Sequence, residues 1–179
     1  CLLAHACLRF SDAQRTDRLS LGASSIYGYC WRSKKRRIGF PFAALRSGYS
    51  KAPWANTLVD LVNSLTSESV VPDFVFPQFG MDLERPLLRP ASYACAVGLF
   101  RRALCLQPLA LGESSAGQLT LHACRRLLPT LGSQLLMSIE SRRVMGHWAP
   151  NSSEPVRYDS SRCVSELAFK AQVAEKVSL

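Results

Sequence analysis

The chain has 179 residues, of which 47% are hydrophobic and 20% are charged, a balance typical of a globular protein. This length suits a single domain with its own core. The formal net charge of +9 favours a polyanionic partner, nucleic acid above all, over an anionic membrane surface. A merely soluble basic protein is the alternative. No apolar run approaches the ~20 residues that span a bilayer, so no membrane partner is expected.

Seven cysteines are scattered along the chain, and no two of them show Cys-x-x-Cys spacing. With only three histidines, this pattern argues against a zinc site. We expect reduced thiols in a cell interior, in the nucleus of a eukaryote or the cytoplasm of a prokaryote. The chain starts with Cys1 inside an apolar, helix-like pattern, so we expect a fragment that lacks a preceding segment.

The first 45 residues predict two kinds of element. Residues 1–20 predict a helix end, a turn and a second helix, which Ser11 caps with Asp12 in its first turn. The segments SSIYGYCW and IGFPFAAL are rich in aromatic and β-branched residues and predict a β-hairpin within 21–45. The basic turn SKKRR joins these strands, so Lys34 and Lys35 are expected at the hairpin tip.

The middle of the chain predicts two helices and two irregular segments. Residues 53–65 predict an amphipathic helix with proline near its first turn, and 91–107 predict a largely buried helix. Between them, 66–90 contains four prolines and predicts a long irregular connection. A loop is predicted over 108–117.

The last third predicts three helices. The first covers 121–128, and Pro129 ends or perturbs it. Ser138 starts the second. A polar linker over 149–157 then leads to a final amphipathic helix over 162–177.

Four side chains with catalytic potential stand in order in this last third. His122 and Arg125 are three residues apart and share one helix face, and His147 and Tyr158 follow them. Cations and imidazoles that converge near a phenol suit chemistry on a phosphate diester. Arginines would hold the phosphate oxygens, imidazoles would handle protons, and the phenol oxygen would attack.

Two upstream segments extend this pattern: ACLRFSDAQR carries Arg9, and SKKRRIGFPF carries Lys34. The resulting order, Arg … Lys … His-x-x-Arg … Gly-His … Tyr, resembles the tyrosine recombinase (phage-type integrase) family. The likeness covers almost the whole chain and corresponds to the family's C-terminal catalytic domain. It implies a mainly α fold with a small antiparallel β-sheet (α+β). It also implies a single domain over 1–179 that lacks the N-terminal core-binding domain.

The resemblance implies site-specific cleavage and rejoining of double-stranded DNA, as in the recombination or integration of a mobile element. Tyr158 would attack phosphorus and form a 3′-phosphotyrosyl link, and Lys34 would protonate the leaving 5′ oxygen. Arg9 and Arg125 would grip the scissile phosphate. No metal and no cofactor are needed, because the phosphotyrosyl link keeps the energy of the phosphodiester.

The two histidines complete the implied site. His122 would take the tyrosine proton or orient the phosphate, and His147 would donate a hydrogen bond to the phosphate. Two assignments stay open, because Lys35 competes with Lys34 as general acid and Trp148 competes with His147. The residues expected to make further DNA contacts are Lys35, Arg36, Arg37, Arg126 and Trp148.

Two other functions fit the same pattern. One is a catalytically inactive DNA-binding remnant of a mobile element, and the more remote one is a type IB topoisomerase-like enzyme. The gap from His147 to Tyr158 contains two prolines and is longer than is common in the family. The apolar stripe of 162–177 would pack either on a neighbouring copy, in a homo-oligomer on DNA, or on its own core.

Overall fold

A computed structural model describes residues 1–32, 39–65, 73–80, 86–148 and 160–177, apart from the side chains at positions 50, 88 and 160–165. Within these ranges the chain is mixed α+β, as predicted, with helices around two small antiparallel sheets. The helices are α1 (Leu2–His5), α2 (Phe10–Ala13), α3 (Trp54–Leu65), α4 (Tyr93–Cys105), α5 (Glu113–Gln118), α6 (Leu121–Gln134), α7 (Ile139–Met145) and α8 (Ser160–Val177). The strands are β1 (Thr16–Leu21), β2 (Ser25–Cys30), β3 (Phe40–Leu45), β4 (Pro77–Phe79) and β5 (Pro86–Pro90). None of the described helices is long and apolar enough to cross a membrane.

The predicted hairpin is confirmed. β2 pairs antiparallel with β3, in a register that places Ser25 opposite Leu45. Gly28 lies on the buried side of β2, where an added Cβ would stand 2.4 Å from the ring of Phe42. The missing side chain therefore lets the buried Phe42 lie across the neighbouring strand. The basic turn SKKRR, residues 33–37, lies outside the described residues.

The sheet has a third strand where the sequence predicts a helix. The predicted second helix is a single turn, α2, which begins after Arg9, so the prediction that Ser11 caps it is wrong. β1 follows and pairs antiparallel with β2, with a register shift between Asp17 and Ser20. A polar strand with such an irregularity lacks the strict alternation that identifies strands in a sequence.

The main hydrophobic core lies between the three-stranded sheet and the helices that cover it. Its buried members include Ile26, Phe42 and Trp54, and burying each of these side chains stabilises the fold by about 1.5–3 kcal/mol. α3 confirms the helix predicted over 53–65. It is anchored at its start, because the indole N–H of Trp54 donates to the carbonyl of Leu45 at 3.0 Å.

Both segments predicted to be irregular contain regular structure. Within 66–90, β4 pairs antiparallel with β5, and the prolines of these strands stand at their ends, where they interrupt the ladder least. Gln14 ties this small sheet to the core, because its Nε2 donates to the carbonyl of Phe76 at 2.8 Å. Within 108–117, the helix α5 begins at Glu113.

Two of the predicted helices differ from expectation in burial or length. α4 forms as predicted, but Val97 is its only buried residue, so the expected burial is wrong. α6 continues through Pro129 to Gln134, so the prediction that it ends near 128 is wrong. Proline removes one backbone bond and costs a helix about 3 kcal/mol. Here Pro129 is itself buried together with Leu128, and that packing offsets the loss.

α7 and the bounds of α8 agree with the sequence. The Ser138 hydroxyl caps α7, because it accepts from the N–H of Ser141 at 3.1 Å. α8 packs against β3 and α7 of its own chain, which is one of the two predicted alternatives. Its buried face includes Glu166, Lys170 and Val173, so the predicted apolar stripe is only partly right.

Candidate functional site

Arg9 stands at the turn between α1 and α2. Its backbone is extended, with φ −70° and ψ 152°, and it occupies the position that precedes the first turn of α2. Its Nη1 lies 3.5 Å from Oδ2 of Asp12, three residues along, and the Arg9 side chain is 36% exposed. The ion pair with Asp12 holds the Arg9 guanidinium in place, and part of the side chain stays exposed to solvent.

Arg9 and His122, two of the six predicted catalytic residues, line the same open cleft. His122 is the second residue of α6 and is exposed, whereas Leu121 before it is buried. The cleft has a volume of about 510 Å³. We call it the basic cleft, and the residues that line it are Arg9, Phe10, Ser11, Arg15, Arg32, Tyr93, Leu121 and His122.

Arg125 lies close to Arg9 but deeper in the protein. Burial lowers the pKa of its guanidinium and the charge of Arg9 lowers it further, while Asp12 raises it. Its Nη2 donates to the carbonyl of Gly146 at 2.6 Å. Its buried Nε has no hydrogen-bond partner within the described residues. A buried donor without a partner costs roughly 1–3 kcal/mol, so it is a feature that an incoming acceptor would relieve.

His147 follows α7 in a left-handed conformation, with φ 52°. Its side chain is 9% exposed, and its Nε2 lies 3.1 Å from Oε1 of Glu166 and 2.9 Å from the carbonyl of Ala6. Both neighbours are acceptors, so this nitrogen carries the proton. His147 therefore bonds inward and joins the end of α7 to the segment just before Arg9. Trp148, its predicted competitor, is 37% exposed.

His147 contacts a buried ion pair that the sequence does not reveal. We call His147, Glu166 and Lys170 the buried charge cluster. Lys170 donates to Oε1 of Glu166 and, at 2.7 Å, to the carbonyl of Ala43 in β3. Burial raises the pKa of Glu166, but His147 and Lys170 outweigh that effect and hold it below its ordinary value. The ion pair lies within α8, and the cluster fastens α8 to the sheet through the bond from Lys170 to the carbonyl of Ala43.

His5, the third histidine, is also buried. Its ring stacks between Tyr49 and Trp54, with centroids 4.6 and 4.8 Å away. Burial, the terminal amino group and Lys170, in that order, lower its pKa to about 4. Gly48 packs against this ring with φ 59°, and an added Cβ would lie 2.0 Å from it. His5 is therefore a neutral core residue above that pH.

The described thiols and carboxylates offer little other chemistry. The six described cysteines form no disulfide. Burial raises the pKa of Cys7 to about 11 and that of Cys30 to about 12, so neither is poised as a thiolate nucleophile. Among the described residues, no group of three or more His, Cys, Asp or Glu is placed to hold a metal ion.

Several predicted site residues lie beyond what the structure describes. Arg126 is not one of these, because it is described and lies exposed on α6, beside the buried Arg125. The predicted residues outside the described ranges are Lys34, Lys35, Arg36, Arg37 and Tyr158.

Two cleft residues, Arg15 and Arg32, were not predicted. Arg15 directly precedes β1, and Arg32 follows β2. The antiparallel pairing of Thr16 with Cys30 brings both arginines to one end of the sheet. The N–H of Trp31 donates to the carbonyl of Arg15 at 3.0 Å. A prediction of β1 would have identified the pair, because the register of that strand brings the two arginines together.

The assembled arrangement suits an anion. Guanidinium groups bind phosphate through paired, charge-assisted hydrogen bonds, and three of them line the basic cleft with an imidazole. Comparisons with protein-family models, with curated proteins and with solved structures found no match to this chain.

Proposed function

We propose that the chain is the catalytic domain of a tyrosine recombinase, encoded by a mobile element, which cleaves and rejoins double-stranded DNA. The observation that carries the proposal is the meeting of Arg9 and His122 at one open cleft, with Arg9 close enough to Arg125 that its charge lowers the pKa of Arg125. Arg9 lies 113 positions from His122 and 116 positions from Arg125 in the sequence. Their convergence is what binding of a single phosphate requires.

In this mechanism the scissile phosphate enters the basic cleft and meets Arg9 first. Arg125 lies deeper than the cleft lining, at 2% exposure, and its charge together with that of Arg9 offsets charge as it develops on the phosphate. Tyr158 attacks phosphorus, the P–O5′ bond breaks, and a 3′-phosphotyrosyl link forms. His122 accepts the phenol proton or orients the phosphate, and Lys34 donates a proton to the leaving 5′ oxygen.

The covalent intermediate gives a direct test. Labelled duplexes with a nick and a randomised sequence trap the intermediate, because the short cleaved strand diffuses away. The purified chain should form a labelled adduct that survives denaturing electrophoresis, and Tyr158→Phe should form none. Tyr93→Phe is the matched control, since Tyr93 is 49% exposed and lines the cleft. An adduct lost in Tyr93→Phe but kept in Tyr158→Phe would overturn the assignment of the nucleophile.

A DNA-binding domain without strand cleavage is the second candidate. It is favoured by the inward bonding of His147, whose Nε2 lies against Glu166 and Ala6 rather than in the cleft. Under this function the chain would bind DNA, and no substrate would yield an adduct. Binding by both the wild-type chain and Tyr158→Phe, with no adduct from either, would establish it over the recombinase.

A further inference from the structure

The basic cleft contains two cations for which the proposed mechanism has no role, Arg15 and Arg32. Both backbones are fixed. The N–H of Arg15 donates to the carbonyl of Asp12 at 3.1 Å, and the carbonyl of Arg32 accepts from the thiol of Cys30 at 3.2 Å. The backbones of the two arginines are therefore held at one end of the sheet, and both side chains line the cleft.

These two arginines differ from their neighbours in charge pairing. Arg9 pairs with Asp12, and Arg18 lies 3.9 Å from Asp17. Within the part of the chain that the structure describes, no carboxylate pairs with the other two cleft arginines. Their positive charge is therefore not offset locally, and it faces the space that a ligand would occupy.

The size of the cleft also exceeds what one phosphate fills. Sites of roughly 300–1,000 Å³ bury most of a drug-sized ligand, and the basic cleft, at about 510 Å³, falls in that range. A phosphate held at Arg9, in the part of the cleft nearest Arg125, leaves room for the next part of the same strand. Non-bridging oxygens of a neighbouring phosphate are the groups that unpaired guanidinium side chains bind best.

We infer that Arg15 and Arg32 together bind a second backbone phosphate of the DNA strand, next to the one held at Arg9. The inference rests on the proposed function in taking DNA as the ligand. The two arginines are positioning residues that fix the strand in register.

The salt dependence of DNA binding tests this inference, because each neutralised phosphate of B-DNA contributes about 0.9 to the slope of log K against log salt. We would measure binding of a labelled 20-base-pair duplex by fluorescence anisotropy, in the Tyr158→Phe background to avoid covalent capture. The double variant Arg15→Gln/Arg32→Gln should lower the magnitude of the slope by about one. Arg18→Gln is the matched control, because Arg18 is 80% exposed on β1 and lies outside the cleft.

The outcomes separate this inference from the proposed function. A double variant whose slope equals that of the parent and of Arg18→Gln would overturn the second phosphate site, even if the wild-type chain forms adducts. A reduced slope without any adduct from the wild-type chain would support the phosphate site and reject the recombinase. Thermal melting of each variant verifies that the fold is intact, since both arginines lie at the surface of the cleft.

Discussion

The buried charge cluster and the basic cleft use charge in opposite ways. In the cluster, Glu166 and Lys170 are each 1% exposed, and each ionic group meets a partner or a backbone carbonyl. In the cleft, the cations outnumber the carboxylates, part of Arg9 faces solvent and Arg32 is exposed. Matched charges in the interior hold elements together, whereas unmatched charges at an open surface attract a counter-ion. This difference is why we propose the cleft, and not the cluster, as the binding surface.

The largest expected effect comes from breaking the cluster. Glu166→Gln leaves the ammonium of Lys170 buried without its carboxylate, and breaking such a pair costs roughly 3–5 kcal/mol. The free energy of unfolding, measured by urea denaturation, should fall by that amount. Glu175→Gln is the control, because Glu175 is exposed on the same helix and should change stability by less than about 0.5 kcal/mol.

A double replacement sharpens this result. Glu166→Met with Lys170→Met removes both charges, and replacing a buried ion pair by apolar side chains of similar volume is often close to neutral. The double variant should regain most of the stability that Glu166→Gln loses. If Glu166→Gln and Glu175→Gln were equally mild, the cluster would not be what fastens α8.

The second effect is a pH dependence that originates at His5. Its pKa is about 4 in the folded chain against an ordinary 6.5, so between these values the unfolded chain binds a proton that the folded chain does not. Stability should therefore fall as the pH decreases from about 6.5 to about 4, by about 3 kcal/mol at most. His5→Phe keeps a ring between Tyr49 and Trp54 and should remove this part of the slope. Urea denaturation at several pH values measures it, and parallel curves for both chains would exclude His5 as the source.

The smallest effect on stability is expected in the cleft. Arg9→Gln removes the partly exposed cation that pairs with Asp12, whose side chain is only 4% exposed, and the carboxylate left without this partner should cost roughly 1–3 kcal/mol. The same change should slow adduct formation by about 10²- to 10³-fold, because it removes a charge that stabilises the transition state. Unfolding and adduct assays on one preparation measure both. A large loss of stability with an unchanged adduct rate would reverse the roles assigned to the two regions.

The elements that the sequence predicts best are those with strong local signals. The hairpin follows from alternating aromatic and β-branched residues, and the start of α7 follows from the hydroxyl of Ser138. β1 escapes prediction because its polar residues and its register shift between Asp17 and Ser20 hide the alternation. The sequence does not predict that α6 continues beyond Pro129. The burial of Pro129 offsets the lost backbone hydrogen bond, and this burial depends on tertiary packing.

In the candidate site, too, some residues can be predicted from local sequence and others only from the folded structure. Arg9 and His122 are found from short motifs and share a cleft. Glu166 and Lys170 appear in the sequence as solvated charges of an amphipathic helix, and only the packing of α8 on β3 reveals that they are buried. Arg15 and Arg32 carry no motif, so only strand pairing identifies them as neighbours.

The walls of the basic cleft have a consequence for folding. They come from four separate places, the turn at Arg9, the end of β2, the start of α4 and the start of α6. No single element provides the cleft, so it exists only when the whole domain is assembled. If nucleic acid binds there, as we propose, a ligand concentration one hundred times its Kd would stabilise the folded chain by about 2.7 kcal/mol. Occupancy of the cleft and integrity of the domain are therefore thermodynamically linked.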